Sequence, residues 1–443
     1  MNKDNLNIVL IGAGSAQFGY CTLGDIFQSN LLRERKAHIV LHDINEQAMH
    51  RVAKTGQKFI DAHKLPFTLS ATTSRKDALA QADFCIISIE VGDRFELWEQ
   101  DWRIPQQHGF RQVYGENGGP GGFFHSLRII PPILEICEDI SKICPNALVF
   151  NFSNPMSRIC TTVHLKFPDL KFIGLCHEIS SLAKHLPKIL NTPFEKLRVR
   201  AGGLNHFSVL LEAKYKDTGE DAYADILAKA PDYFENLADP MPSDLKPYRS
   251  TTKTNLWHER GVFRTILERF HVVPITTDSH FGEYLPWAYE VVDHEGILEF
   301  FQCYKRYVMK SDPEIKLKLT ERVVPIIDGI LSGDEFEEGA VNVPNKGLIP
   351  DFPEFMVVEV PATVNREGVC GIPIGDLLPK GFGSLLYNQV AIHKLTAEAV
   401  LTGSREIALQ AMLADPIVDK VVAAEKTLNT MLEVQRDYLG YIK

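Results

Sequence analysis

Short runs of consecutive apolar residues alternate with longer amphipathic stretches along the first part of the chain. The runs predict strands and the stretches predict helices. The predicted strands are 7–11, 37–41, 83–89, 148–151 and 172–175, and the predicted helices are 15–28, 46–63 and 127–144. Because the strands are apolar throughout rather than alternating, they are typical of a parallel sheet that helices cover on both faces. The pattern predicts a doubly wound, Rossmann-like α/β fold.

The pattern changes near residue 200. After this point helices dominate, apart from a stretch rich in Pro, Gly and Val at 341–380 that predicts loops and short strands. A chain of 443 residues is long enough for two or three domains of roughly 100–200 residues each. We expect a Rossmann-like domain at 1–200. A mostly helical α+β domain at 201–443 would carry substrate, metal and oligomer contacts.

Charge and composition narrow the possible partners. The formal net charge is −10 with no block of like charge, which disfavours nucleic acid and anionic membranes as partners. No apolar run is long enough to span a bilayer, and the polar start of the chain predicts no signal peptide. The eight cysteines form no CxxC pair, as in reduced cytoplasmic proteins. We therefore expect a cytoplasmic protein that acts on small molecules.

A glycine turn follows the first predicted strand. Gly12 permits a tight turn, Gly14 lets the backbone approach a pyrophosphate, and the next helix offers free N–H groups to the anion. Asp43 ends the second strand, where a carboxylate binds ribose hydroxyls and repels a 2′-phosphate, so NAD is favoured over NADP. The third glycine position holds Gln17, and a structural turn without a ligand stays an alternative. The predicted cofactor residues are Gly12, Gly14, Ser15, Phe18 and Asp43.

Polar residues follow three later segments that end strands. Asn154 belongs to the first, Cys176-His177-Glu178 to the second, and Asn205-His206 to the third. Ligands bind at the carboxyl ends of strands in doubly wound sheets, so these residues are site candidates. Cys176 and His206 could give a metal one thiolate and one imidazole. Taken alone, however, each is more typical of a buried structural residue, and their spacing matches no short metal motif.

Two further clusters carry candidate chemistry. Residues 111–128 form a glycine-rich segment that predicts a loop before a helix, and Glu116, Asn117 and His125 within it are candidate ligand contacts. Residues 274–287 are dense in groups that exchange protons, Asp278 and Tyr284 among them. The second cluster also fits a capped helix start, which is compatible with catalysis.

These pieces occur in a fixed order. The order is the glycine turn, Asp93-Arg94 with Ile104-Pro105, the glycine-rich loop, Asn154-Pro155, Cys176-His177, Asn205-His206, 343–347 and 358–361. From about residue 7 to about residue 415, the set resembles glycoside hydrolase family 4. The resemblance implies a fold akin to lactate and malate dehydrogenases. It also implies NAD and a divalent metal such as Mn²⁺ as cofactors, a saccharide substrate, and a homodimer or homotetramer.

The resemblance also implies a mechanism and residue roles. NAD oxidises the sugar at C3, a base removes the C2 proton, the glycosidic oxygen leaves, water adds, and NADH restores the hydroxyl. By resemblance Cys176 and His206 bind the metal, while His177 follows the metal cysteine at a position proposed as acid in some members. The base is Asp278 as first choice and Tyr284 as second. The predicted substrate contacts are Asn154, Glu116, Asn117, Glu178 and His125.

The sugar is predicted from one short run. Cys176-His177-Glu178-Ile179 is similar to the Cys-His-Glu-Val of α-galacturonidases, so an α-uronide, α-galacturonide first, is the expected substrate. The Glu178 carboxylate would repel a nearby uronate, which is an argument against it. The alternatives are a neutral-sugar α-galactosidase or α-glucosidase of the same family, a 2-hydroxyacid dehydrogenase on the same fold, and an NAD-binding sensor without activity.

Overall fold

The computed structural model describes residues 6–15, 17–237, 241, 244–253, 261–310 and 313–443. In these ranges the strands are β1 (Asn7–Ile11), β2 (His38–His42), β3 (Thr68–Thr72), β4 (Phe84–Ile87), β5 (Leu148–Asn151), β6 (Phe172–Gly174), β7 (Leu197–Leu204), β8 (Phe207–Tyr215), β9 (Val273–Pro274), β10 (Phe336–Pro344), β11 (Val357–Asn365) and β12 (Gly368–Gly371).

The helices of the first half are α1 (Phe18–Gln28), α2 (Asn30–Glu34), α3 (Glu46–His63), α4 (Arg75–Leu79), α5 (Arg94–Gln107), α6 (Gly119–Ile143), α7 (Met156–Lys166) and α8 (Leu182–Leu190). Those of the second half are α9 (Tyr223–Glu235), α10 (Gly261–Phe270), α11 (Asp278–Phe281), α12 (Ala288–Val291), α13 (His294–Lys310), α14 (Val323–Ser332), α15 (Lys380–Tyr387), α16 (Gln389–Thr402), α17 (Arg405–Leu413), α18 (Val421–Val434) and α19 (Arg436–Leu439). Short 3₁₀ turns lie at Glu178–Ser181, Phe194–Lys196, Lys246–Tyr248, Gly282–Tyr284 and Gly375–Leu377.

The first six strands form a parallel sheet in the order β3-β2-β1-β4-β5-β6. This is the strand order of a dinucleotide-binding Rossmann fold. Alternate residues of β1 enter different cores, since Ile8 and Leu10 belong to one buried cluster and Val9 and Ile11 to the other. The sheet is therefore covered on both faces, and the predicted doubly wound fold followed by a mostly helical α+β half is confirmed.

The sheet continues past residue 200 through antiparallel strands. β10, β11, β7, β8 and β9 extend it from β6, and β12 pairs with β11. β10 and β11 have nine residues each, longer than the short strands that the sequence predicts. The prolines do not interrupt them, because Pro344 ends β10 and Pro361 of β11 lies opposite the irregularity between Glu338 and Val341. A residue without an N–H is tolerated where the ladder is already broken.

Helix α6 begins inside the glycine-rich segment, at Gly119, and not after it as predicted. The glycines allow the segment to fold back on its own helix start. A Cβ on Gly122 would lie 2.2 Å from the carbonyl carbon of Asn117, and one on Gly121 would lie 2.5 Å from Gly115 Cα. The glycines therefore serve close backbone packing, and the predicted loop is limited to the residues before Gly119.

A buried ion pair joins α5 and α6 to the C-terminal helices. Arg128 of α6 donates to both oxygens of Asp101 of α5, at 3.2 and 2.7 Å, and to Gln435 Oε1, which follows α18, at 2.7 Å. All three residues are buried.

Within the described ranges, no helix combines the length and the apolar character that a bilayer crossing requires.

We expect Arg128→Met to lower the free energy of unfolding by about 3–5 kcal/mol, because it leaves the Asp101 carboxylate buried without its partner. Urea unfolding followed by tryptophan fluorescence measures the change. Lys142→Met is the matched control, since Lys142 pairs with Glu138 on the surface, and it should cost no more than about 1 kcal/mol. Equal stability of the two variants would contradict a stabilising role for the Arg128 pair.

Candidate active site

A cavity of about 730 Å³ lies beside the carboxyl ends of the parallel strands. Its volume is in the range of small-molecule sites. Residues that follow β5 and β6 line it together with residues of α1, α5 and the second half of the chain. Of the predicted site residues, it includes Asn154, Cys176, His177, Glu178, His206 and Glu116.

The glycine turn after β1 has the geometry of a dinucleotide site. Gly12 has a φ of +88°, and a Cβ there would lie 2.0 Å from the carbonyl oxygen of Ser88, so only glycine fits. Asp43 follows β2, and its carboxylate accepts hydrogen bonds from the N–H groups of Gly14 and Asn45, each at 2.8 Å. Backbone N–H groups and an acid at the end of β2 are the groups that a dinucleotide needs here.

The start of α1 completes the turn. The hydroxyl of Ser15 accepts from the N–H of Phe18 at 3.2 Å, and the Phe18 ring packs against Phe152 at 5.1 Å. Sequence reasoning placed the third glycine of the fingerprint at position 17. In the structure Gly19 packs α1 closely against the glycine turn, since a Cβ on Gly19 would lie 2.3 Å from the Ala13 carbonyl oxygen. Gln17 instead accepts from the Tyr304 hydroxyl at the cavity wall.

The structure brings Cys176 and His206 together. Cys176 Sγ lies 3.4 Å from His206 Nε2, and Glu178 Oε1 lies 3.6 Å from the same nitrogen. One donor atom from each of the three residues lies within 4.8 Å of the others. A thiol, an imidazole and a carboxylate at this spacing can converge on one divalent metal ion. Glu178, predicted as a substrate contact, is thus also a candidate metal ligand.

The local fold explains this meeting. His206 follows the end of a strand, β7, as predicted. This strand is antiparallel to the next, and His206 lies in the two-residue turn between β7 and β8, where its φ is +61°. A positive φ is uncommon outside glycine, and the Glu359 carboxylate helps to hold the turn. It accepts from Asn205 Nδ2 at 2.9 Å and from Ser208 Oγ at 2.5 Å. It also accepts from Asn342 of β10 at 2.9 Å.

Burial prepares the cluster for a cation. It lowers the pKa of His206 well below its ordinary value, and the neighbouring His280 and His177 act in the same direction. A neutral imidazole is the form that binds metals. Burial, Glu178 and Glu359 all raise the pKa of the Cys176 thiol. A bound divalent cation reverses this effect because it stabilises the thiolate directly, so the donor set fits a metal.

The loop before α6 is fixed by a buried carboxylate. Glu283 accepts from the backbone N–H groups of Glu116, Asn117 and Gly118 at 2.5, 2.9 and 3.2 Å. Burial raises the pKa of Glu283 to about 8, and the nearby Glu116 contributes, although the three N–H groups lower it. The loop therefore presents Glu116 to the cavity with little freedom. The Glu116 carboxylate is also held by Arg94, at 3.2 Å.

Two predicted contacts lie behind this loop instead of on the cavity wall. Asn117 is buried, and its side-chain amide has no hydrogen-bond partner in the described part of the chain. His125 of α6 is buried as well. Its Nδ1 lies 2.8 Å from the Glu116 carbonyl oxygen and its Nε2 lies 3.4 Å from Glu90. His125 supports the loop, and of the three loop candidates Glu116 is the one that reaches the cavity.

Neither candidate base lies on the cavity wall. Asp278 is fully buried, and its carboxylate accepts from the N–H groups of Val262 and Phe263 at 2.8 and 3.0 Å, at the start of α10. The Tyr284 ring stacks on Phe207 at 4.6 Å, and burial raises the pKa of its hydroxyl well above the ordinary value. The sequence predicted that Asp278 caps the start of its own helix, whereas in the structure its carboxylate caps the start of α10. The geometry therefore disfavours both residues as bases, and their role stays a prediction.

His177, the predicted acid, does face the cavity. Its side chain is 68% exposed, and its Nδ1 lies 3.7 Å from Glu321 Oε1. Asn154 also lines the cavity, next to a cis peptide bond with Pro155. His280 was not predicted as a site residue, but its Nδ1 lies 2.9 Å from His206 Nδ1. A histidine between capping residues carries no motif, so only the fold reveals it.

Two family models together match most of the chain. One, described as family 4 glycosyl hydrolase, matches residues 7–192, and the other, its C-terminal domain, matches residues 201–418. The chain belongs to glycosyl hydrolase family 4. The predicted family is confirmed, and the chain is an enzyme, a glycosidase.

Known members of the family match along the whole length. An alpha-glucosidase of Erwinia rhapontici is 56% identical, covering 98% of this chain and 99% of its own. An alpha-galacturonidase of Thermoanaerobacterium saccharolyticum is 28% identical, covering 98% and 97%. A 6-phospho-alpha-glucosidase from gut microorganisms, solved with NAD and Mn²⁺, shares the fold with a TM-score of 0.76 at 20% identity, covering 98% of each chain.

Cys176→Ser should weaken Mn²⁺ binding more than about 100-fold, because a serine hydroxyl does not replace a thiolate ligand and even outer partners cost 10–100-fold. Electron paramagnetic resonance of free Mn²⁺ measures the affinity in a titration without sugar. Cys370→Ser removes an exposed cysteine and should leave the affinity unchanged. Wild-type affinity in Cys176→Ser would remove the thiol from the site.

Asp278→Asn should lower stability by about 1–2 kcal/mol, since one N–H of α10 loses its acceptor. Folded Asp278→Asn and Tyr284→Phe should keep kcat within about threefold, whereas loss of a general base costs roughly 10²–10⁴-fold. Thermal unfolding and initial rates on the same preparations separate the two effects. A 100-fold loss of kcat in a folded variant would restore that residue as a base.

Proposed function

We propose that this chain hydrolyses α-glucosides with NAD and a divalent metal, Mn²⁺ first, as cofactors. The observation that carries the proposal is the 56% identity, over 98% of the chain, to a protein named alpha-glucosidase. The cavity supports it, because α1, which follows the glycine turn, lines the same space as Cys176 and His206. A hydride acceptor and a metal can therefore act on one sugar.

The two cofactors supply reversible hydride transfer and Lewis-acid polarisation of the sugar oxygens. The glycine turn would let the pyrophosphate approach the backbone at the start of α1, and Asp43 would bind the adenosine ribose. Cys176, Glu178 and His206 would hold the metal.

The chain itself positions the sugar and moves the protons. Asn154 presents a buried amide oxygen that lacks a hydrogen-bond partner among the described residues, and a sugar hydroxyl can donate to it. The base that removes the C2 proton is better sought among carboxylates on the cavity wall than at Asp278 or Tyr284. The described wall carboxylates are Glu116, Glu178, Asp244 and Glu314.

Charge on the cavity wall bears on the sugar. Glu178 lies 3.6 Å from His206 and Glu116 lies 3.5 Å from His280, so these carboxylates repel an anionic sugar to the extent that the bound metal and Arg94 do not neutralise them. A neutral glucoside avoids this repulsion.

The α-uronide predicted from the sequence is the second candidate. Lys184, Lys316 and Lys318 line the cavity and can pair with a uronate, and the 28% identical alpha-galacturonidase supports the same class. An α-galactoside is a third possibility within the same assay.

We expect an aryl α-glucoside to be cleaved with a higher kcat/KM than the matching α-galactoside, α-galacturonide and α-glucuronide. The assay contains NAD, Mn²⁺ and a thiol reductant, and chelation of the metal should abolish the rate. A higher kcat/KM for either uronide would contradict the proposed α-glucoside substrate and favour the α-uronide predicted from the sequence. A hydroxyl-directed site discriminates such analogues strongly, because a buried polar group is left unpaired by the wrong sugar.

The same reaction run in D₂O distinguishes the reaction class. Product that carries deuterium at C2, with no net NADH release, is expected for elimination after oxidation at C3. Net NADH release from a 2-hydroxyacid would indicate a dehydrogenase, and no turnover of any sugar would indicate a sensor.

The homodimer or homotetramer, the cytoplasmic location and the domain division near residue 200 stay predictions.

A further inference from the structure

Two histidine rings lie against each other behind the metal cluster, with their centroids 4.6 Å apart and their planes tilted by 45°. His206 directs Nε2 towards Cys176 Sγ and Glu178 Oε1, at 3.4 and 3.6 Å. Its other nitrogen, Nδ1, lies 2.9 Å from Nδ1 of His280. The His206 ring is 2% exposed, so its position depends on protein contacts.

The distance between the two Nδ1 atoms indicates that they share one proton, and a metal on His206 Nε2 decides which ring carries it. Two nitrogens at 2.9 Å form a hydrogen bond when one carries a proton and the other offers a lone pair. A neutral imidazole that binds a metal through Nε2 carries its proton on Nδ1. His206 is then the donor and His280 Nδ1 the acceptor. The neutral His280 ring carries its own proton on Nε2.

The far side of His280 suits a protonated Nε2. Glu116 Oε2 lies 3.5 Å from this nitrogen, and Arg94 and the Glu283-bound backbone fix Glu116. Glu178 Oε1 also lies near His280 Nδ1, but at 3.8 Å it is farther than His206. The Tyr114 ring packs on the His280 ring, with 5.8 Å between centroids.

We propose that His280 is a positioning residue for the metal ligand His206: its Nδ1 accepts the hydrogen bond from His206 Nδ1–H, and Glu116 in turn orients His280. Metal-binding histidines commonly donate their second N–H to a carboxylate, carbonyl or water, and such partners set the tautomer and the ring orientation. Here a second imidazole stands between the ligand and the carboxylate. The inference rests on the metal role proposed above for Cys176 and His206.

His280→Ala should weaken Mn²⁺ binding about 10–100-fold in the absence of sugar and NAD, because His206 loses the acceptor that fixes it. His280→Asn should retain more affinity than His280→Ala, since an asparagine Oδ1 can take the place of Nδ1 as acceptor. Electron paramagnetic resonance titration measures both. His63→Ala removes an exposed histidine on α3 and should bind Mn²⁺ like the wild type.

Nitrogen NMR of ¹⁵N-histidine-labelled protein with Zn²⁺ reads the tautomers directly. We expect His206 with metal on Nε2 and the proton on Nδ1, and His280 with the proton on Nε2. Metal bound to Nδ1 of His206, or a proton on Nδ1 of His280, would overturn the proposal. The proposal would also be overturned if His280→Ala bound Mn²⁺ like the wild type while Cys176→Ser and His206→Ala lost the metal. Retention of Mn²⁺ by all three variants would instead refute the metal site itself.

Discussion

The site depends on how the antiparallel strands join the parallel sheet. Gly174 at the end of β6 pairs with Asn342, which pairs with Glu359, which in turn pairs with Gly203. Cys176 and His206 lie two and three residues beyond the two ends of this row. The Glu359 carboxylate lies in the middle of the row and binds side chains from β10, from β8 and from the turn between β7 and β8. A carboxylate buried in a sheet is costly unless it is fully hydrogen-bonded, so these bonds couple the position of His206 to the core.

One short segment of the second half, residues 274–287, contacts the other parts of the site. Asp278 binds the start of α10, and His280 contacts His206. Glu283 binds three backbone N–H groups before α6. Sequence reasoning saw this segment as dense in proton-exchanging groups, and the structure shows that two of its acids are used to hold backbone. Among the described residues of this segment, His280 and Thr277 line the cavity.

The parallel half of the fold was predictable because its signals are local. Continuous apolar runs at β1, β4 and β5 require burial on both faces, and the glycine turn follows β1 directly. The start of α6 was not predictable in the same way. Gly121 and Gly122 resemble loop glycines in the sequence, and they are helical because Glu283, far along the chain, holds the preceding N–H groups while the glycines pack on Gly115 and Asn117.

The site residues also differ in whether their roles depend on neighbours in the sequence or on partners that are distant in the sequence. Cys176 and His206 were paired through the order of family motifs, because no spacing rule joins a residue after β6 to one in the β7–β8 turn. Asp278 was predicted as the base because a helix-capping carboxylate and a catalytic one look alike until the N–H groups that they bind are known. His280 and Glu359 act only through partners that are distant in sequence. A side chain whose role is to orient another leaves little trace in a single sequence, and the hydrogen-bond geometry of the folded chain is what identifies it.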